Sequence, residues 1–147
     1  MIQQIKLLSF FSLALISYLA YSEEKTPNTI NWQQWSPKVF QQAQKEKLLV
    51  LVDLTAEWCQ FCKKMDETTY RAPQVIDVIN RSYIPVRAAE EEHPDLAKRY
   101  ENYGRPATII FTENQTEIIK RKGYLPPQWM VWLLEAVAQN PSPEAHK

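Results

Sequence analysis

Short apolar runs and amphipathic stretches alternate along this chain. Residues 48–54 are almost continuously apolar, rich in Val and Leu and interrupted only by Asp53, which predicts a strand buried on both faces. Residues 83–88 and 107–112 predict two more strands, and Glu113-Asn114-Gln115 forms a plausible hairpin turn into 117–122. Helical spacing accounts for most of the rest. Ser36 can cap a helix with Pro37 at its first position, continuing through Val39, Phe40 and Ala43 to about residue 45. A second helix opens at Cys59 and runs through Cys62 and Met65 to about residue 69. A third covers 73–80, with Val75, Ile76 and Ile79 inward, and a fourth covers 95–101 behind Pro94. In the last, from Pro126 and Pro127, Trp129, Trp132, Leu133, Ala136 and Val137 recur at i, i+3, i+4, i+7 and i+8, predicting one buried face. The order α, β, α, α, β, α, β, β, α predicts an α/β fold, a central mixed sheet with helices on both faces.

The N-terminus follows a different pattern. Lys6 is the only charge before an apolar run over 7–21, and Ala20-Tyr21-Ser22 offers small residues at the −3 and −1 positions of a cleavage site. The run is short for a bilayer span and reads as an export signal. The expected layout is a signal peptide over 1–22, a polar linker over 23–30, one domain over 31–140 and a polar tail over 141–147. The 147 residues suit a single domain. Lys and Arg number 17 and Asp and Glu also 17, so nothing electrostatic argues for nucleic acid. Export implies a periplasmic or secreted protein, and a monomer is expected.

Export also governs how the two cysteines, Cys59 and Cys62, are read. A disulfide closing so small a loop would constrain the unfolded chain weakly, which favours redox work over stapling. The first sulfur would sit at a helix N-terminus, where unpaired N–H groups and the helix dipole favour a thiolate. The second lies one turn on, within reach of a disulfide. Cys59 would then attack a partner disulfide and Cys62 resolve the mixed disulfide. A structural zinc site usually needs four protein ligands, and beyond this pair only His93 and His146 could contribute. The expectation is therefore no metal and no cofactor. Tyr70, Tyr100 and Tyr103 read as packing residues, His93 as a surface loop residue, and Glu90-Glu91-Glu92 as a solvated face.

The stretch Val52-Asp53-Leu54-Thr55-Ala56-Glu57-Trp58-Cys59-Gln60-Phe61-Cys62-Lys63 resembles the active-site segment of thioredoxins, and the likeness extends through the presumed mature domain. The chain is also similar to exported thioredoxin-like proteins with a Trp-containing lead-in helix, here Trp32 and Trp35. This resemblance implies a thioredoxin fold and a cis-proline loop facing the cysteines, with Pro106 matching that proline and Gly123 a common glycine after the hairpin. It implies that Asp53 lies buried beneath the disulfide and assists proton transfer at the second cysteine, burial raising its pKa. Trp58 would form part of the substrate-facing surface. Arg105 departs from the small or β-branched residue usual before the cis-proline. It would either bring a guanidinium to the Cys59 thiolate, favouring acidic partners and a more oxidising couple, or point into solvent. Gln60-Phe61 matches neither the dipeptide of typical reductants nor that of strong oxidants, so the direction of electron flow stays open. The implied activity is thiol–disulfide exchange on exported proteins carrying disulfides or thiols; the leading reading is a reductant, for which a membrane thiol donor is one candidate supply. The alternatives are an oxidase or isomerase with the same site, or a thioredoxin-like binding module without turnover.

Overall fold

A computed structural model describes residues 28–147. The expected signal peptide over 1–22, and the linker up to residue 27, lie outside the described residues. The elements follow one another as β1 (Gln33–Gln34), α1 (Lys38–Glu46), β2 (Leu49–Thr55), α2 (Gln60–Glu67), α3 (Pro73–Ser82), β3 (Tyr83–Ala89), α4 (Pro94–Arg99), β4 (Ala107–Phe111), β5 (Glu117–Lys122) and α5 (Pro127–Gln139). Five strands form one mixed sheet in the order β1-β3-β2-β4-β5. β3 runs parallel to β1 and β2, whereas β4 is antiparallel to β2 and β5. Thioredoxin-fold topology thus puts β2 at the centre, which explains its unbroken apolar character.

Alternate residues of β2 feed two cores. Leu49 and Leu51 pack with Met65 of α2, Val75 and Ile79 of α3, and Met130 and Leu134 of α5. Val50, Val52 and Leu54 pack with α1 and with Leu96 of α4. Asp53 shares the parity of Leu51 and therefore points to the side that α2 and α3 cover.

Four local expectations change in the folded chain. Pro37 occupies the N-cap of α1, no side chain caps that helix, and Ser36 instead contributes its carbonyl to Val39 N–H. Trp32 and Trp35 flank the short strand β1 and do not belong to a lead-in helix. α4 ends at Arg99, and 101–103 turn as a separate short 3-10 segment. Most clearly, α5 buries Met130, Val131, Leu134 and Val137, leaving Trp129 and Trp132 at 62% and 60% exposed. That helix is apolar around most of its circumference, so its periodicity admits two phases. Contacts with α3 and the hydrogen bond from Tyr83 Oη to Leu134 O, at 2.6 Å, select the other one.

Candidate active site

The chain leaves β2 at Thr55, turns through 56–58 and enters α2 at Cys59, its N-cap residue. Cys59 has extended backbone, and its Sγ accepts from Cys62 N–H at 3.0 Å, which meets one of the unpaired donors of the first helical turn. The two cysteines form a disulfide, with Cα atoms 5.3 Å apart. Both are largely enclosed, Cys59 at 1% and Cys62 at 6% exposed. Trp58 and Phe61 stand out from the surface on either side, at 63% and 58% exposed, and the Phe61 ring lies 6.5 Å from that of Tyr124.

Strand register brings Pro106 to the same end of the sheet. Ala107 pairs with Leu54, so Pro106 lies just past the end of the ladder, where the chain departs toward Cys59. The Arg105–Pro106 peptide is cis. Gly104 precedes it with φ +61° and ψ −159°, a region essentially confined to glycine. Gly123 donates its N–H to Pro106 O at 2.8 Å, tying the end of β5 to this loop.

Asp53 is 2% exposed. The parallel register sets Arg87 directly beside it, and Arg87 Nε and Nη2 reach Asp53 Oδ2 at 3.2 and 3.1 Å. The same Nη2 reaches Asp66 Oδ1, on α2, at 2.5 Å. The guanidinium also lies over the Trp32 ring, 4.3 Å from its centroid. Burial pushes the Asp53 carboxyl up to about 6, Arg87 pulling it down and Asp66 pushing it up. Tyr70 stands close enough for its hydroxyl to lower that value, although the contact lacks the geometry of a full hydrogen bond, and Asp53 Oδ1 and Tyr70 Oη are both buried without a partner. Burial and the neighbouring Asp53 push the Tyr70 phenol well above its ordinary value. A cleft of about 300 Å³ borders Trp32, Asp66, Tyr70 and Arg87, opening this cluster to solvent.

Arg105 does not point into solvent. Its side chain is 4% exposed and ion-paired with Glu90 at 2.9 Å. Its remaining hydrogen bonds go to the carbonyls of Ala97, Tyr100 and Gly104, which gathers the end of α4 onto the loop before the cis-proline.

Asp66 and Arg87 were not singled out by sequence reasoning, Tyr70 was read as packing alone, and Glu90, read as part of a solvated face, instead pairs with Arg105 and Trp58. One signal existed for Arg87, a single charge in the otherwise apolar strand 83–88, mirroring the single charge of Asp53 in 48–54. Nothing in the pattern distinguishes Glu90 from Glu91 and Glu92.

A mixed sheet, a disulfide-forming CxxC at a helix N-terminus and a buried carboxylate on the covered face define a thioredoxin-like domain. Residues 15–131 match the thioredoxin-like DsbH family, described as "Protein of unknown function, DUF255", and the chain belongs to that family. It is similar to spermatogenesis-associated protein 20 of Homo sapiens, 23% identical over 109 residues that cover 69% of this chain and 14% of that protein. It is also similar to thiol:disulfide interchange protein DsbD of Campylobacter jejuni, 31% identical over 88 residues that cover 58% of this chain and 15% of that protein. The chain thus spans about one seventh of the length of these relatives. Among solved structures, a thioredoxin from Thermus thermophilus superposes with a TM-score of 0.63 at 20% identity, covering 72% of this chain and 86% of that one. A candidate disulphide-isomerase from Bacteroides thetaiotaomicron superposes with a TM-score of 0.65 at 21% identity, covering 76% and 94%.

Proposed function

We propose that the protein reduces disulfides of exported proteins, with Cys59 as the attacking and Cys62 as the resolving thiol. The observation that carries this assignment is the position of Cys59 Sγ at the N-cap of α2, accepting Cys62 N–H, where a thiolate gains from the helix dipole. In the reduced protein the Cys59 thiolate attacks one sulfur of a partner disulfide, forming a mixed disulfide and releasing the other sulfur as a thiolate. Cys62 gives its proton to Asp53, and the resulting thiolate attacks Cys59 Sγ. The intramolecular disulfide forms, the second partner thiol leaves, and two electrons have passed to the partner. A carboxyl with pKa of about 6 suits this proton transfer near neutral pH, and the cleft beside Asp66, Tyr70 and Arg87 gives the proton a way to solvent.

The reducing direction is supported by the placement of Arg105. Its charge is paired with Glu90, which weakens any pull it would exert on the Cys59 thiolate toward a more oxidising couple. Resupply then falls to a thiol donor, and similarity to part of a thiol:disulfide interchange protein fits a membrane donor and a site of action outside the cytoplasm. Among the described residues no helix is long and apolar enough to cross a membrane. We read the protein as a monomer in which Trp58, Arg105 and Pro106 shape the substrate-facing side.

Equilibration of residues 23–147 in graded thiol–disulfide buffers, with trapped thiols counted by mass, tests the reading. The expected potential is near that of thioredoxin, about −270 mV. A value near −120 mV would make the protein a disulfide donor, and thiols that never pair would leave only a binding module. Cys62→Ser should accumulate a mixed disulfide at Cys59, whereas Cys59→Ser should trap none.

A further inference from the structure

Glu90 begins an acidic run, yet its carboxylate joins the two segments that flank the disulfide. Oε1 accepts from Trp58 Nε1 at 2.7 Å, and Oε2 lies 2.9 Å from Arg105 Nη2. Trp58 immediately precedes Cys59, and Arg105 immediately precedes Pro106. The backbone reinforces the tie. Glu90 N–H donates to Thr55 O at 2.9 Å, and Glu91 Oε1 accepts from Glu57 N–H at 3.0 Å. Trp58, Trp129 and Trp132 are 63%, 62% and 60% exposed, and of these three only Trp58 has its indole N–H in a hydrogen bond. Fixing an exposed side chain costs rotamer entropy, which a charge-assisted bond of this length offsets.

We propose that Glu90 is a positioning residue that sets the distance between Trp58 and the loop before the cis-proline, the two walls between which a partner segment is held. The proposal rests on the reading of this site as a thiol–disulfide exchange centre. With the Arg105 side chain buried, Trp58 and Phe61 are the large apolar groups exposed beside the disulfide, among Glu57, Gln60 and Lys63. The partners this surface suits are protein disulfides flanked by apolar residues, and small disulfides that touch only the sulfurs benefit less.

Steady-state reduction of insulin and of glutathione disulfide, with dithiothreitol as electron supply, tests this in wild type, Glu90→Gln and Glu90→Ala. Glutamine keeps an acceptor for Trp58 but removes the charge facing Arg105, and alanine removes both. For Glu90→Ala the expected result is a rise of about tenfold in KM for insulin with kcat within about twofold, a smaller rise for Glu90→Gln, and a lesser change for glutathione disulfide. In wild type, the Trp58 indole N–H, assigned through Trp58→Phe, should exchange with water about tenfold more slowly than those of Trp129 and Trp132. That measurement needs no Glu90 variant to fold. A Trp58 N–H exchanging as fast as the other two overturns the proposal, and so does an unchanged insulin KM in both variants. Wild type inactive on both substrates overturns the redox reading itself, whereas wild type active on both beside indistinguishable Glu90 variants overturns only the role of Glu90.

Discussion

Two carboxylate–guanidinium pairs lie near the disulfide, and they are built in opposite senses. In the pair on the α2 side the acid is buried and the base reaches out, Asp53 at 2% and Arg87 at 30% side-chain exposure. In the pair before the cis-proline the base is buried and the acid reaches out, Arg105 at 4% and Glu90 at 25%. A buried carboxylate can relieve its desolvation by taking a proton, as the rise of Asp53 to about 6 reflects. A guanidinium has no such escape, because it stays protonated at any ordinary pH. The first pair therefore holds a group that can gain or lose a proton near neutral pH, while the second keeps its charge. Burying an acid yields a chemical group, and burying an arginine yields a brace.

The largest expected effect would break this contrast from the brace side. Glu90→Ala leaves the Arg105 charge buried without a counter-ion, and should lower unfolding stability at pH 7 by about 4 kcal/mol in urea titration. A variant as stable as wild type would mean that the carbonyls around Arg105 are enough to hold it.

Asp53→Asn should act in the opposite direction, and only where Asp53 would be ionised. Because the folded-state pKa lies above the ordinary value of 3.8, the folded form holds the proton more tightly and wild type loses stability as pH rises from 3.8 to about 6. Above pH 6 the variant should be more stable by roughly 3 kcal/mol, with no advantage below pH 3.8. Melting temperatures at pH 3.5 and pH 7.5 check the sign, and equal shifts at both would remove the titration argument.

A smaller effect sharpens the first pair. Arg87→Ala removes the group that lowers Asp53, so the carboxyl should titrate above its wild-type value of about 6 in carboxyl NMR, and the pH at which the resolving step reaches half-rate should move up with it. The smallest effect serves as a control for both pairs. Arg81 and Asp77 form the same kind of ion pair on the surface of α3, 56% and 44% exposed, and Arg81→Ala should change stability by less than about 0.5 kcal/mol.

Local chemistry was enough to read a good deal of this molecule. A β2 run without polar relief except Asp53, a CxxC directly after it, and Pro106 before the next apolar run are marks that short-range physics writes into sequence, and they lead to the α/β fold and the cysteine pair. What was illegible has one cause in several places, namely that the deciding partner is far away along the chain. Arg87 is 34 residues from Asp53 and meets it only because β2 and β3 pair in one particular parallel register. Glu90 differs from its acidic neighbours only after Arg105 and Trp58 have been brought to it. On α5 both Trp129 with Trp132 and Met130 with Leu134 satisfy a helical period, and packing on α3 chose the second set. The sequence by itself located the five helices and the four longer strands, though not β1, and the cysteine pair, because those depend on neighbours within a turn or two. The tertiary structure alone decided which charges face each other and which aromatics remain outside, because pairing and burial are properties of the assembled sheet and helices.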